Sequence, residues 1–133
     1  MSSILKTKPI ARPLALVIED NADQNLVFTK AMEEAGYYTE SITDGIRAQQ
    51  RLTEIVPQVI VLDLHLPNID GEKLLEQIRK DQRLTRTRVV LATADALFAS
   101  LLQSQADYVF LKPISFSQLN QLAMRFIRQS GHA

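Results

Sequence analysis

Polar residues stand where several apolar runs of this chain end, and their types suit phosphoryl chemistry. One run ends in Glu19 and Asp20, another in Asp63, and later runs end in Thr93 and Lys112. Neighbouring carboxylates repel one another, and a hard divalent cation such as Mg²⁺ relieves that repulsion through oxygen ligands. An Asp carboxylate is also a covalent acceptor of phosphoryl groups, while an ammonium and a hydroxyl can bind phosphoryl oxygens. A fold that gathers these residues would therefore make Asp63 a phosphoacceptor.

Each of these residues alone has an ordinary structural interpretation. A single Asp after a strand is usually a helix cap or a turn residue, a Glu-Asp pair is usually exposed surface, and Lys-Pro is usually part of a loop. Their shared position at the ends of predicted strands favours a functional site over these interpretations.

The elements that must position these residues alternate along the chain. Continuous apolar runs rich in β-branched residues predict strands covered on both faces, and a more polar run over residues 37–42 predicts an edge strand. Stretches with helical periodicity separate the runs. The sequence therefore predicts an α/β fold, a doubly wound five-stranded parallel sheet (flavodoxin-like, βα repeated five times), with ligands at the carboxyl ends of its strands. The continuous runs are residues 14–18, 59–62, 89–92 and 108–111.

Four of the helices are predicted from apolar residues that recur at helical spacing. Gly36 ends the first and Pro57 ends the second, while Ser115 and Gln118 predict a capping box at the start of the last. The four apolar stripes are Phe28, Ala31, Met32 and Ala35; Ala48, Leu52, Ile55 and Val56; Leu74, Leu75 and Ile78; and Leu119, Leu122, Ala123, Phe126 and Ile127.

Length and composition restrict the class of protein. The 133 residues suit one domain, and the 15 basic and 15 acidic residues balance, which argues against a free-standing nucleic-acid binder. There is no cysteine, no run long enough to span a membrane and no apolar segment of a signal peptide, so we expect a cytoplasmic protein without direct nucleic-acid or membrane binding. Residues 1–13 are predicted to form a flexible arm, residues 14–129 the domain and residues 130–133 a tail, with no output domain.

Residues 14–127 resemble the receiver domain of two-component response regulators. The stretch from Asp63 through Pro67 to Asp70 and Gly71 is highly specific, and the separation of Asp63 from Thr93 also fits that family. The matching motifs are Val17-Ile18-Glu19-Asp20, Val61-Leu62-Asp63-Leu64-His65-Leu66-Pro67-Asn68-Ile69-Asp70-Gly71, Ala92-Thr93-Ala94 and Leu111-Lys112-Pro113.

The resemblance implies a role for each residue around the metal ion. Asp63 would be the phosphoacceptor and, with Asp20, a direct ligand of Mg²⁺. Glu19 would act largely through water, and the backbone carbonyl of His65 would be a further ligand. The resemblance therefore places the metal beside the acceptor carboxylate.

The resemblance also implies how the phosphoryl group arrives and is recognised. Thr93 and Lys112 would bind its oxygens, and the peptide bond before Pro113 would be cis. The donor would be a phosphohistidine on a histidine kinase or a phosphotransfer protein, and the signal would pass to a downstream protein by contact.

The sequence departs from the family pattern in the fifth strand and the fourth helix. The family usually has Tyr or Phe three residues before the lysine, and this chain has Val109, with Tyr108 predicted on the opposite face of the strand. The interval from Thr93 to Lys112 is about one helical turn shorter than usual, which predicts a trimmed fourth helix. In the family, the aromatic ring at this position swings between exposed and buried states, and Val109 has no such ring.

The fourth helix allows two interpretations. Residues 96–106 contain no charged side chain, and apolar residues cover more than one narrow stripe. Either the helix is deeply packed, or it forms an apolar partner or homodimer surface together with the fifth strand and fifth helix. The apolar residues are Leu97, Phe98, Leu101 and Leu102.

Three further alternatives concern function. The His65 side chain either lines the mouth of the site or influences water attack on the acyl phosphate. We expect no enzyme activity beyond self-phosphorylation and self-dephosphorylation, the rival being a small phosphohydrolase with Asp63 as nucleophile. A degenerate receiver that only binds partners is a second rival, which the complete set of site residues opposes.

Overall fold

A computed structural model describes residues 12–130, and over this range five strands alternate with five helices. The strands are β1 (Leu14–Ile18), β2 (Tyr38–Ile42), β3 (Val59–Asp63), β4 (Arg88–Thr93) and β5 (Tyr108–Leu111). The helices are α1 (Ala22–Ala35), α2 (Gly45–Arg51), α3 (Gly71–Lys80), α4 (Ala96–Leu102) and α5 (Phe116–Gln129), with 3₁₀ turns at Gln82–Leu84 and Gln103–Gln105.

The five strands form one parallel sheet in the order β2-β1-β3-β4-β5. This confirms the predicted doubly wound, flavodoxin-like α/β fold and the edge position of β2. Because β1, β3 and β4 are parallel and paired in register, Ile18 lies beside Leu62, and Leu62 lies beside Leu91. The residues that follow these positions therefore emerge at one edge of the sheet.

The core has two layers, one on each face of the sheet. Successive strand residues point to opposite faces, so Leu16 and Ile18 enter one layer while Ala15 and Val17 enter the other. The first layer packs against α2, α3 and α4, and the second packs against α1 and α5. Burial on both faces explains why β1 and β3 are continuous apolar runs rather than alternating ones.

Two predicted helix signals are confirmed. Gly36 follows α1 with φ +113°, a left-handed conformation that glycine adopts without the cost imposed by a Cβ atom. The Ser115 side chain accepts a hydrogen bond from Gln118 N, and the Gln118 side chain accepts one from Ser115 N, which completes the capping box of α5.

The predicted extent of the second helix is wrong. The helix ends at Arg51 instead of continuing to Val56, which is 54% exposed. Glu54 N donates to Arg51 O in a tight turn, and the Thr53 hydroxyl donates to Gln50 O at 2.6 Å. A hydroxyl that competes for a backbone carbonyl in this way favours termination of the helix.

The run over residues 108–111 forms β5, but the prediction that both of its faces are covered is wrong. β5 is the second edge strand, and Tyr108 and Leu111 are 42% and 50% exposed. The Tyr108 ring lies 4.7 Å from the Phe110 ring, whereas Val109 packs against the opposite layer of the core. The predicted opposite orientation of Tyr108 and Val109 is therefore confirmed.

Helix α4 is short, as predicted from the interval between Thr93 and Lys112. It spans only Ala96–Leu102, and a 3₁₀ turn at Gln103–Gln105 replaces a further helical turn. Leu102 is buried, but Leu97 and Leu101 are 67% and 63% exposed. The deeply packed alternative is therefore wrong for these two leucines, and α4 has an exposed apolar face.

The beginning of the described chain contacts the edge of the sheet. Tyr38 N donates to Pro13 O at 2.9 Å, and the Arg12 guanidinium lies 5.5 Å from the centre of the Tyr38 ring. The rest of the predicted arm and the end of the predicted tail lie outside the described residues. Between residues 12 and 130, no helix combines the length and hydropathy needed to cross a bilayer, and the cytoplasmic location remains a prediction.

Candidate functional site

Asp63 is the last residue of β3, the central strand of the sheet, and its side chain is 3% exposed. Its Oδ1 atom accepts a hydrogen bond from His65 N at 3.1 Å, which orients the carboxylate at the strand end. The chain then turns tightly enough that a Cβ atom on Gly71 would lie 2.6 Å from Leu64 O. Glycine at position 71 thus allows α3 to begin directly beside the segment that follows Asp63.

Three carboxylates meet at this edge. Oxygens of Glu19, Asp20 and Asp63 all lie within 4.8 Å of one another. Glu19 and Asp63 are buried, whereas Asp20 is exposed. An all-oxygen donor set of this kind fits Mg²⁺, which is held by a few carboxylates and retains several waters. The residues present therefore fit the predicted ion.

Lys112 extends from the end of β5 into the same cluster. Its Nζ atom lies 2.8 Å from Glu19 Oε1 and 3.5 Å from Asp63 Oδ1. The ammonium thus neutralises part of the carboxylate charge and lies next to the carboxylate predicted to accept the phosphoryl group. The peptide bond between Lys112 and Pro113 is cis, as the resemblance implied.

The Glu19 carboxyl group has a perturbed pKa. Its burial raises the pKa to about 7, because desolvation disfavours the charged carboxylate. The hydrogen bond from Lys112 lowers the pKa and the neighbouring Asp63 raises it, but burial is the largest cause. A proton therefore competes with a metal ion for this carboxylate near neutral pH.

Thr93 is the last residue of β4 and is fully buried. Its Oγ1 atom accepts a hydrogen bond from Asp95 N at 3.0 Å and lies 3.2 Å from Nε2 of the His65 ring. The parallel register places Asp63 beside Ala92, so Thr93 follows directly on the neighbouring strand. The hydroxyl is thus at the same edge as the three carboxylates.

The structure adds Asn25, which sequence reasoning missed. Its buried side-chain amide donates to Glu19 O at 3.0 Å and to Ile42 O at 3.2 Å, and its Oδ1 atom accepts from the Thr29 and Ser41 hydroxyls. Asn25 thereby ties α1 to the ends of β1 and β2, and orients the backbone that carries Glu19. An Asn within a helical stretch gives no sequence signal for such a contact.

Asp95 was missed as well, although a signal existed. It stands immediately before an apolar stretch, which is typical of a helix N-cap. Its Oδ1 atom accepts hydrogen bonds from Leu97 N at 2.9 Å and Phe98 N at 3.3 Å. Asp95 therefore joins the Thr93 end of β4 to the start of α4.

The geometry thus gathers the predicted site residues at one edge. The carboxylates of Glu19, Asp20 and Asp63 form the cluster, Lys112 enters it, and Thr93 lies on the adjacent strand end. The arrangement can hold a hard cation and leave a carboxylate, an ammonium and a hydroxyl near one reacting group. The individual chemical roles remain predictions.

Known proteins share this arrangement of elements. The family model of the response regulator receiver domain matches residues 15–124. Hybrid signal transduction histidine kinase D of Dictyostelium discoideum is 30% identical over 111 residues, which is 81% of this chain and 7% of that protein. The DNA-binding dual master transcriptional regulator RpaA of Synechocystis sp. is 28% identical over 121 residues, which is 89% of this chain and 50% of that protein.

A solved structure is similar across nearly the whole fold. The receiver domain of sensor histidine kinase PA1611 from Pseudomonas aeruginosa PAO1 is 26% identical, with a TM-score of 0.77 over 89% of this chain and 99% of that one. That structure has a magnesium ion coordinated in its active site cleft. The chain spans half or less of the length of the kinase and of the transcriptional regulator, so the similarity concerns one part of each.

Proposed function

This chain belongs to the response regulator receiver domain family of two-component systems, and we propose that it carries its signal as a phosphoryl group on Asp63. The observation that carries this proposal is the cluster of Glu19, Asp20 and Asp63, with Lys112 Nζ 3.5 Å from Asp63 Oδ1. Receiver domains interact with histidine kinases or phosphotransfer proteins. We propose a phosphohistidine on such a protein as the donor here.

In the proposed transfer, an Asp63 oxygen bonds to phosphorus while the bond from phosphorus to the donor imidazole nitrogen breaks. That nitrogen keeps the electron pair of the broken bond, and the product is an aspartyl phosphate. Lys112 would bind one phosphoryl oxygen through its ammonium and Thr93 another through its hydroxyl, so both would stabilise charge on the transferred group.

Asp20, Asp63 and the His65 backbone carbonyl would hold Mg²⁺, with Glu19 acting largely through water. When bound, the ion would neutralise negative charge on the phosphoryl oxygens and the acceptor. The buried position of Asp63 favours this role, because electrostatic interactions are stronger where water is excluded.

We further propose that the output is a contact with a downstream protein or with a second copy of this chain, through α4, β5 and α5. Exposed Leu97, Leu101 and Leu111 support an apolar contact there. On the opposite face of the sheet, a groove of about 600 Å³ between β5 and α5 is lined in part by Tyr108 and Arg128. The chain would have no enzyme activity on other substrates.

Incubation with acetyl phosphate and Mg²⁺, followed by intact-mass measurement, tests the phosphoacceptor. We expect the added mass of one phosphoryl group in the wild-type chain and none in Asp63→Asn, which preserves the shape of the buried side chain. Asp23→Asn, an exposed acidic residue in the first turn of α1, is the matched control and should be phosphorylated like the wild type. Absence of the added mass in the wild type, or its persistence in Asp63→Asn, would refute the proposal.

A further inference from the structure

A chain of contacts leads from the phosphoryl site to α4 without passing through Val109. It consists of His65, Thr93, Asp95 and Phe98, and its members come from three different segments of the chain. Val109 itself is aliphatic and has no side-chain polar atom that could respond to a phosphoryl group. The route by which Asp63 would influence the apolar face of α4 therefore has to be sought elsewhere.

The first contact joins His65 to Thr93. The two side chains meet with Nε2 3.2 Å from Oγ1, although 28 residues separate them in sequence. A hydroxyl carries a single hydrogen, and Oγ1 already accepts from Asp95 N. The roles in this pair depend on the His65 tautomer. In the tautomer whose Nε2 accepts, a Thr93 hydroxyl that turns to donate to a phosphoryl oxygen on Asp63 no longer donates to His65, so this contact breaks.

The second contact joins Thr93 to the beginning of α4. Asp95 N donates to Thr93 Oγ1, while the Asp95 carboxylate caps the helix through Leu97 N and Phe98 N. Asp95 therefore links the hydroxyl and the first turn of α4 by hydrogen bonds at both ends. A movement of Thr93 toward Asp63 would be transmitted to that turn.

The third contact joins His65 directly to α4. The His65 and Phe98 rings meet edge to face, with centroids 5.7 Å apart and an interplanar angle of 73°. Phe98 is half-buried against the core, whereas Leu97 and Leu101 on the same helix are exposed. A change in the His65 ring therefore acts on the one aromatic anchor of a seven-residue helix.

We propose that His65 and Phe98 are positioning residues that couple the phosphoryl state of Asp63 to the apolar face of α4. In the unphosphorylated protein His65 bridges Thr93 and Phe98 and holds α4 in place. When Thr93 turns to the phosphoryl oxygen, the bridge loosens and α4 shifts with Leu97 and Leu101. This coupling rests on the proposed function, because it needs a phosphoryl group on Asp63.

The test compares amide NMR spectra of the full chain before and after addition of Mg²⁺ and beryllofluoride, a mimic of the phosphoryl group. In the wild type we expect shifts at Asp63 and Thr93 and also at Leu97 and Leu101. Phe98→Ala should retain the shifts at the site and lose most of those in α4. His65→Ala, which keeps the backbone carbonyl proposed for Mg²⁺, should also lose most of the α4 shifts. Phe98→Tyr keeps an aromatic ring at this position and should restore them.

Tyr108→Ala is the matched control, because it removes an aromatic ring that contacts Phe110 rather than His65. It should leave the α4 shifts intact. If Phe98→Ala does not fold, His65→Ala decides alone, since this exposed side chain is not part of the core.

The possible outcomes separate the two proposals. Shifts at Asp63 and Thr93 without shifts in α4 of the wild type, or α4 shifts that persist in His65→Ala, would overturn the coupling and leave the phosphoacceptor intact. No shift at Asp63 or Thr93 in the wild type would overturn the phosphoacceptor and the coupling with it.

Discussion

The carboxyl edge of the sheet and the adjoining surface of α4 and β5 are neighbours built in opposite ways. At the edge, charged and polar groups such as Glu19, Asp63 and Thr93 are buried, and every buried side-chain N or O atom of the described residues has a hydrogen-bond partner. On the α4 and β5 surface, apolar side chains such as Leu97 and Leu101 are exposed instead.

This difference separates two kinds of constraint. The proposed phosphoryl chemistry requires particular atoms at particular distances, which the edge supplies through residues such as Glu19, Asp63 and Thr93. The proposed contact surface depends more on apolar area and shape, which a short α4 helix can also provide. The two regions therefore differ in how a substitution should act, and this can be measured.

The largest expected effect distinguishes core leucines from surface leucines. Leu74 in α3 is fully buried, so Leu74→Ala should lower the free energy of unfolding by about 2–5 kcal/mol through lost burial and a cavity. Leu101→Ala, at a side chain that is 63% exposed, should change it by less than about 0.5 kcal/mol. Urea denaturation at two protein concentrations provides the measurement. A large, concentration-dependent loss in Leu101→Ala would mean that this surface is buried in a dimer.

The next effect concerns the edge of the sheet. Lys112→Ala removes the ammonium beside Asp63 and should slow phosphorylation by acetyl phosphate by about 100-fold, as for removal of one oxyanion-stabilising donor. Lys30→Ala, at an exposed lysine in a surface ion pair with Glu33, should leave the rate unchanged. Time courses of intact mass measure both variants. Equal rates for the two would show that Lys112 has only a structural role.

A smaller effect is expected from pH. Because Glu19 has a pKa raised to about 7, its proton competes with Mg²⁺, and the apparent affinity should fall as pH decreases through that value. The decrease should be less than about tenfold per pH unit, since Glu19 acts largely through water and the direct ligands remain. Glu19→Gln should remove this dependence. Mg²⁺ titrations followed by NMR or calorimetry across pH test it.

The metal-free protein should respond to the same proton in the opposite direction. Neutral Glu19 is favoured in the folded state, so its contribution to stability is complete below the unfolded pKa of 4.5 and is lost as pH rises through about 7. Thermal denaturation of the metal-free wild type and Glu19→Gln measures this contribution. Curves with the same pH dependence would contradict it.

The smallest effect lies at the junction of the two regions. Asp95→Ala removes the cap of α4 and should cost about 1 kcal/mol of helix stability. Asp44→Ala removes the corresponding cap of α2 and is the control for a cap that is remote from Thr93. Hydrogen exchange should increase in α4 only for Asp95→Ala. An equal increase in α4 for both variants would argue against a local junction.

Much of the fold could be predicted because its signals are local. Apolar runs indicate strands, Gly36 marks the end of α1, and the Ser115 capping box marks the start of α5. The parallel order then places the carboxyl ends of the strands at one edge of the sheet. The end of α2 was mispredicted because the Thr53 hydroxyl competes for a carbonyl, which apolar spacing does not reveal. The coverage of β5 was mispredicted because a continuous apolar run also occurs at an exposed edge.

The identities of the site residues follow from the chain alone. Side-chain types at the ends of apolar runs specify the available chemistry. The sequence therefore assigns five residues to one site: Glu19, Asp20, Asp63, Thr93 and Lys112. The physical reason is that parallel strands direct their carboxyl ends to one edge.

Exposure and long-range contacts required the folded structure. Whether Leu97 faces solvent, whether Glu19 is buried enough to raise its pKa, and whether the His65 ring reaches Thr93 depend on how separate elements pack. Residues far apart in sequence make these contacts, and periodicity carries no information about the distance between them. The residue types at the strand ends thus determine the chemistry of the site. Its electrostatics and its connection to α4 depend on how the elements pack together.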